Sequence, residues 1–202
     1  REGYLASAIK NPEVKMTFSR AAKEVEVKLH TVTYAQVKNW LYNEWEDTNR
    51  ALVDRLGDGQ IAYTHMRDMG SEELNEFLKD MHTRTLGKKA IIIDLRYNNG
   101  GNVHNEVLEF LSQKAHYQWA YRDFPSNSHP NVTPGDIPII ALVNERSLSD
   151  AEVTSNGIQT LGLATIVGTE TYRWIIFTSG TTLLDGSYLR LPAWGCYSLD
   201  GK

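Results

Sequence analysis

Ala90-Ile91-Ile92-Ile93-Asp94-Leu95-Arg96-Tyr97-Asn98-Asn99-Gly100-Gly101 is the stretch whose reading decides the fold. A short run of continuous apolar, β-branched residues, Ala90 to Leu95 with one acid inside it, predicts a strand buried on both faces. Gly100-Gly101 then turns the chain into a segment from about Val103 to Gln113 that reads as a helix. Outward from this unit, strand and helix signals keep alternating. Ile61 to Met66 is a strand candidate, and Ser71 is placed to cap a helix whose first turn holds Glu72 and Glu73, at the positive end of its dipole. Leu74, Phe77, Leu78 and Met81 follow at i, i+3, i+4 and i+7. Ile137 to Val143 repeats the buried-strand pattern, Asp150 to Leu161 is helical, and Thr165 to Val167 is a further strand. Such alternation predicts an α/β fold with a largely parallel core sheet. Thr181 to Leu184 and Ser187 to Leu191 flank Asp185-Gly186, which predicts a C-terminal hairpin.

Towards the amino terminus the periodicity changes. Tyr34 to Leu56 has helical spacing, with Val37, Trp40, Leu41, Trp45 and Leu52 broadly on one face, and Gly57-Asp58-Gly59 ends it. Before it, Val14 to Phe18 and Val25 to Leu29 alternate as two strands, preceded by a short helical piece that stops at Asn11-Pro12. The expected organisation is therefore 1–32, a connecting helix over 33–56, and a main domain over 57–202.

The 202 residues, 41% hydrophobic and 23% charged, have the composition of a chain that buries a core, which excludes disordered and collagen-like classes. Net charge is −4 and no basic run gathers positive charge, which argues against a nucleic-acid partner. The longest apolar stretch, Ile137 to Val143, contains Pro138 and is far shorter than the roughly 20 residues of a membrane-spanning helix. Arg1-Glu2-Gly3-Tyr4 carries neither an initiator Met nor an apolar leader, so the chain reads as a fragment or a processed product. A lone Cys196 excludes an intrachain disulfide and a multi-cysteine metal site, and no phosphate-loop or His-Glu-x-x-His pattern is present. No metal or organic cofactor is expected, and nothing in the sequence names a compartment.

Two segments can carry chemistry. Glycines at a strand exit let backbone N–H groups approach one point, as a developing oxyanion requires, although Gly100-Gly101 alone reads first as a tight strand-to-helix turn. In Asn144-Glu145-Arg146-Ser147-Leu148-Ser149-Asp150-Ala151-Glu152 a serine stands where a second buried strand passes into a helix, although taken alone Ser147 or Ser149 reads first as a helix cap. Together the two would set oxyanion donors beside a hydroxyl, an arrangement for acyl transfer.

These segments resemble the tricorn and carboxy-terminal processing serine peptidases, whose core is related to the ClpP and crotonase folds. Asp94 to Gly101 is similar to that family's Asp-Leu-Arg-x-Asn-x-Gly-Gly motif, and Ser149 with Asp150 and Glu152, followed by Gly168-Thr169-Glu170-Thr171, to its nucleophile region. Gly59 to Gly70 resembles the tricorn branch, so the likeness covers about residues 34–202, and residues 1–32 resemble the end of a PDZ domain. The resemblance implies Ser149 as nucleophile, the N–H groups of Gly101 and Asp150 as oxyanion hole, and a peptide or unfolded-protein substrate, with ring-forming relatives implying a homo-oligomer. Gly100 and His65 are possible supporting residues. In the processing branch a lysine follows the serine by 25 residues, but Trp174 stands there, within Tyr172-Arg173-Trp174-Ile175. The tricorn branch instead uses a histidine and an acid that lie outside these 202 residues, so the chain alone is expected not to hydrolyse peptides. His65 and His104 are the in-chain histidines nearest the motif strands, and His104 is expected to face its own helix. Where that branch has an acid selecting basic side chains, this sequence has Ala120, with Asp123 nearby. Two other classes compete: a non-catalytic ligand- or peptide-binding module on the same fold, and a crotonase-like acyl-CoA enzyme.

Overall fold

The computed structural model describes residues 13–132 and 134–201. The helical piece expected before Asn11-Pro12 lies outside them. The chain divides into two compact units, one up to Asn49 and one from Arg50.

In the first unit, β1 (Glu13–Arg20) and β2 (Lys23–His30) form an antiparallel hairpin. Ala21 and Ala22, both at positive φ (51° and 60°), make its tight turn. Register sets Val14, Met16 and Phe18 opposite Leu29, Val27 and Val25, so the alternation in sequence becomes one apolar face. Helix α1 (Tyr34–Leu56) begins with a reciprocal cap. Thr33 Oγ1 accepts the Gln36 N–H at 3.2 Å, and Gln36 Oε1 accepts the Thr33 N–H at 2.8 Å. The α1 side chains lie half-buried or exposed along its whole length.

The second unit runs β3 (Ile61–His65), α2 (Ser71–Thr83), β4 (Ala90–Asp94), α3 (His104–Leu111), β5 (Tyr117–Trp119), β6 (Asn127–His129), β7 (Ile139–Val143), α4 (Asp150–Thr160), β8 (Thr165–Gly168), β9 (Phe177–Thr182) and β10 (Tyr188–Trp194). Strands β3-β4-β7-β8, in that order, form a parallel sheet, as the βα alternation predicts. One face is the core: Ala62, Ile91, Ile93, Ile139, Ala141 and Val143 are buried with Phe77 and Met81 of α2, Val107, Phe110 and Leu111 of α3, and Ile158 of α4. Phe77 and Phe110 meet edge to face at 5.9 Å.

The expectation of burial on both faces is corrected on the opposite side. Ile92 and its neighbour Ile140 point there, the first half-buried and the second 38% exposed. An apolar run reports what each residue can tolerate, whereas coverage depends on what packs against the face. Two local readings also change. Gly70, not Ser71, is the N-cap of α2, because Ser71 is already its first helical residue. The Asp185-Gly186 turn is present, with Gly186 at φ 82°, but β9 and β10 reach further from it than the sequence implies, pairing as far as Phe177 with Trp194. The β5–β6 hairpin was not anticipated. Its strands have three residues each, too short for alternation to show.

Candidate active site

Because β4 and β7 are adjacent and parallel, the loops after them leave the same sheet edge, where open α/β sheets place their ligands. The loop after β4 is rigidly built. Asp94, fully buried, accepts from Arg96 Nη2 at 2.6 Å and from Tyr63 Oη at 2.8 Å, and its hydrogen bond holds the Arg96 guanidinium above its ordinary pKa. Asn98, also fully buried, donates from Nδ2 to the Met66 carbonyl at 2.9 Å, and its Oδ1 accepts the Gly100 N–H at 2.8 Å. Its own carbonyl accepts the Leu148 N–H at 3.1 Å, which joins this loop to the serine loop. Met69 then brackets the glycines: its N–H donates to Gly100 O and its carbonyl accepts the Asn102 N–H, both at 2.9 Å. The Gly101 N–H, between them, takes no part in this ladder. Gly100 has φ 78°, and a Cβ there would lie 2.7 Å from Ser149 Cβ and 3.3 Å from the Asp150 nitrogen. Only a residue without a side chain lets the two loops meet this closely.

The two serines occupy unlike environments. Ser147 is fully buried, its Oγ donating to the Leu95 carbonyl at 2.7 Å and accepting the Asn144 N–H at 3.0 Å. It is a strut between the two strand exits. Ser147→Ala is expected to destabilise the protein by about 1–3 kcal/mol through those two orphaned backbone groups, measurable by denaturant unfolding. Ser149, by contrast, is half-buried and stands at the turn before α4 with φ 56° and ψ −117°. That conformation is costly for a residue with a Cβ, on the order of 1–3 kcal/mol, and persists only where neighbours enforce it. Glu152 is one enforcer. Its Oε1 accepts the Ser149 N–H at 2.9 Å and the Trp174 N–H at 2.8 Å, while Oε2 accepts Thr171 Oγ1 at 2.8 Å and the Arg173 N–H at 2.7 Å. Ser149 and Glu152 thus form a capping box, but the Glu152 N–H is already held by the Ser149 carbonyl at 2.9 Å, so capping does not require the hydroxyl. The Ser-x-x-Glu spacing was the signal by which this glutamate could have been singled out.

Asp150, the first residue of α4, has an N–H without an intrahelical acceptor. Its buried carboxylate turns away to α3: Oδ2 accepts the N–H groups of Val103 (2.8 Å) and His104 (3.1 Å), and Oδ1 pairs with His104 Nδ1 at 2.5 Å. Asp150 therefore caps a helix other than its own. His104, expected to face its own helix, instead reaches across to the residue after Ser149. Asp150→Ala is expected to cost about 2 kcal/mol through the lost cap, with faster amide exchange at Val103 and His104 as its local signature.

Two hollows adjoin Ser149. A cavity of about 280 Å³ touches Gly101, Asn102, Ser149 and Asp150, and another of about 550 Å³ touches Gly100, Gly101, Leu148, Ser149 and Trp174. Gly100, Gly101, Ser149 and Asp150 are thus brought together. Trp174, at the place of the processing-branch lysine, stands in the wall of the larger cavity. His65 is not brought in: it is buried on β3, with Nδ1 hydrogen-bonded to the Asp94 carbonyl at 2.7 Å, and it borders neither cavity. Ala120 and Asp123 are exposed between β5 and β6, and neither borders the cavities. Among the described residues no group of three or more His, Cys, Asp or Glu could hold a metal ion.

Comparison with known proteins identifies the family to which this fold belongs. The profile of peptidase family S41 matches residues 59–202. Tricorn proteases of Thermoplasma volcanium and Thermoplasma acidophilum are 32% and 31% identical over 75% and 79% of this chain, which spans about 15% of their length. The crystal structure of the tricorn protease superposes with a TM-score of 0.75 at 26% identity, over 93% of this chain and 18% of that one. A photosystem II D1 C-terminal processing protease, at 18% identity and TM-score 0.52 over 65% of this chain and 36% of its own, shares the fold. With its β4 and β7 loops meeting around Gly100 and Ser149 and a profile match over most of its length, this chain belongs to peptidase family S41.

Proposed function

We propose that the protein containing this chain is a serine peptidase that cleaves peptide bonds through an acyl-enzyme on Ser149. The observation that carries the reading is the backbone of Ser149, held at φ 56° and ψ −117° against Gly100. A strained serine at a strand-to-helix turn presents its hydroxyl to a cleft and leaves the next residue's N–H facing the same point. In this reading a base takes the Ser149 proton while Oγ bonds to the substrate carbonyl carbon, and the N–H groups of Gly101 and Asp150 receive the oxyanion. Collapse breaks the C–N bond, the departing amine takes the proton, and water then hydrolyses the ester to free Ser149. Oxyanion donors of this kind contribute about 10²- to 10³-fold each to the rate. No histidine or lysine borders either Ser149 cavity among the described residues, so the base is assigned to another part of the protein. The hairpin β1–β2 is read as the closing strands of a PDZ-like domain, α1 as the connector, and residues 57–202 as the nucleophile half of the catalytic core.

Pre-steady-state hydrolysis of an activated peptide ester by the complete protein tests this. A burst of leaving group equal to the concentration of Ser149 is expected. Steady hydrolysis that survives loss of Ser149, or stoichiometric peptide binding without any bond cleavage, would contradict it; the latter describes a binding module.

A further inference from the structure

The wall of the Ser149 cleft facing the glycine loop is one face of the segment leading into the β9–β10 hairpin. Trp174, Ile176 and Thr178 alternate along one strand line and Arg190 and Pro192 along the other, and all five border the larger cavity. This follows from period-two geometry, since Thr178 pairs with Pro192 and its diagonal neighbour is Arg190. Arg190 is the one cation among these five, beside the apolar side chains of Trp174, Ile176 and Pro192. Arg190 and Thr178 border both cavities that touch Ser149. The guanidinium is oriented by its Nε, which donates to Thr178 Oγ1 at 2.7 Å, leaving its remaining N–H groups for another acceptor. No carboxylate forms an ion pair with Arg190 among the described residues, whereas nearby Arg173 is paired with Glu170 and held above its ordinary pKa by that hydrogen bond. Asp150, the acid bordering the smaller cavity, has both oxygens committed to Val103 and His104.

From these placements we infer that Arg190 is a specificity-determining residue, selecting peptides that carry a carboxylate close to the scissile bond. A planar guanidinium held at one nitrogen offers a fork that matches a carboxylate, and Trp174, Ile176 and Pro192 give the substrate residues beside that carboxylate an apolar surface to pack on. Among the described residues no uncommitted carboxylate borders the two cavities: Ala120 and Asp123 lie away from them, and the Asp150 carboxylate is already satisfied. The carboxylate is a glutamate or aspartate side chain or the free carboxyl terminus of the peptide. This inference rests on the proposed peptidase reading for the position of the scissile bond, but the cation itself does not depend on it.

The test uses the complete protein and three sets of matched fluorogenic peptides: Glu, Gln or Lys at each position flanking the cleaved bond, and a terminal carboxylate against a terminal amide. In at least one set the carboxylate form is expected to exceed the neutral form about tenfold in kcat/KM, the scale of one charge-assisted hydrogen bond. The Glu and Lys arms separate a side-chain carboxylate from a terminal one. Arg190→Gln is expected to erase the difference, and Arg190→Glu to reverse it in favour of Lys. Anisotropy binding of the same peptides to the Ser149→Ala protein reads the preference without catalysis. A carboxylate preference in binding with no turnover by the parent protein would keep the role of Arg190 and sink the peptidase reading. Turnover or binding with all ratios within about twofold, or ratios that Arg190→Glu does not move, would overturn the inference.

Discussion

Peptide turnover by the complete protein is expected to fall by roughly 10⁶-fold on replacing Ser149 with alanine, with the melting temperature essentially unchanged. The kinetic effect is large because the hydroxyl is the group that forms the covalent bond; the residual rate is that of peptide held near oxyanion donors with no nucleophile. Stability should hardly move because alanine keeps the Cβ, so the backbone strain at φ 56° is the same in both proteins. The contacts that enforce that backbone come chiefly from main-chain atoms of residue 149 and from Glu152, and the hydroxyl adds only its half of the capping box. Ser147→Ala should behave in the opposite sense, losing stability and keeping most of its activity, since its Oγ is bonded inside the fold. Parallel measurement of kcat and of urea midpoints for the two variants checks the pair of outcomes.

Gly101→Val carries the second large effect, and it falls on the fold as well as on the N–H donor. A Cβ on Gly101 would lie 2.1 Å from the Met69 carbonyl oxygen and 2.4 Å from its carbon, both main-chain atoms that cannot rotate away. The bridge between Met69 and Gly101 has to open, and with it the hydrogen bonds that fix Gly100 and Asn102. A loss of about 2–4 kcal/mol is expected, together with about a 10²- to 10³-fold fall in acylation rate from the displaced donor. Thermal unfolding and acylation kinetics on the same preparation separate the two. A variant with unchanged stability would mean that the loop relaxes freely, and one with an unchanged rate would remove Gly101 from the oxyanion site.

How much of this was legible in the sequence follows from how local each determinant is. The β4 strand, the glycine turn and α3 are set within consecutive residues, so their order and the parallel sheet could be read from the pattern Ala90 to Gln113 and its repeat at Ile137 to Leu161. The meeting of Gly100 with Ser149 was also readable once two neighbouring parallel strands were expected, because both loops must leave the same edge. Glu152 carried a local sign, the capping-box spacing, although its reach to Thr171, Arg173 and Trp174 could not be seen from spacing alone. The side chain of Asp150 gave none: its partners are Val103 and His104, far away in sequence, and nothing near residue 104 marks its histidine as bound to another helix. Arg190 was invisible for the same reason. Its placement depends on hairpin register, and the strands proved longer than their alternation suggested. Coverage of the second sheet face was misread because a run of isoleucines is equally compatible with a packed and a half-open surface.

Labelling of the complete protein with a fluorophosphonate, followed by proteolysis and mass mapping of the adduct, tests the central claim most directly. Such a probe forms a stable bond only with a serine that is activated and faces oxyanion donors. The account predicts one adduct per chain on the peptide containing Ser149, blocked by prior incubation with a peptide substrate and absent from the Ser149→Ala protein. An adduct mapped to Ser147 or to another residue, or a fully folded protein that hydrolyses peptides without labelling at Ser149, would contradict it.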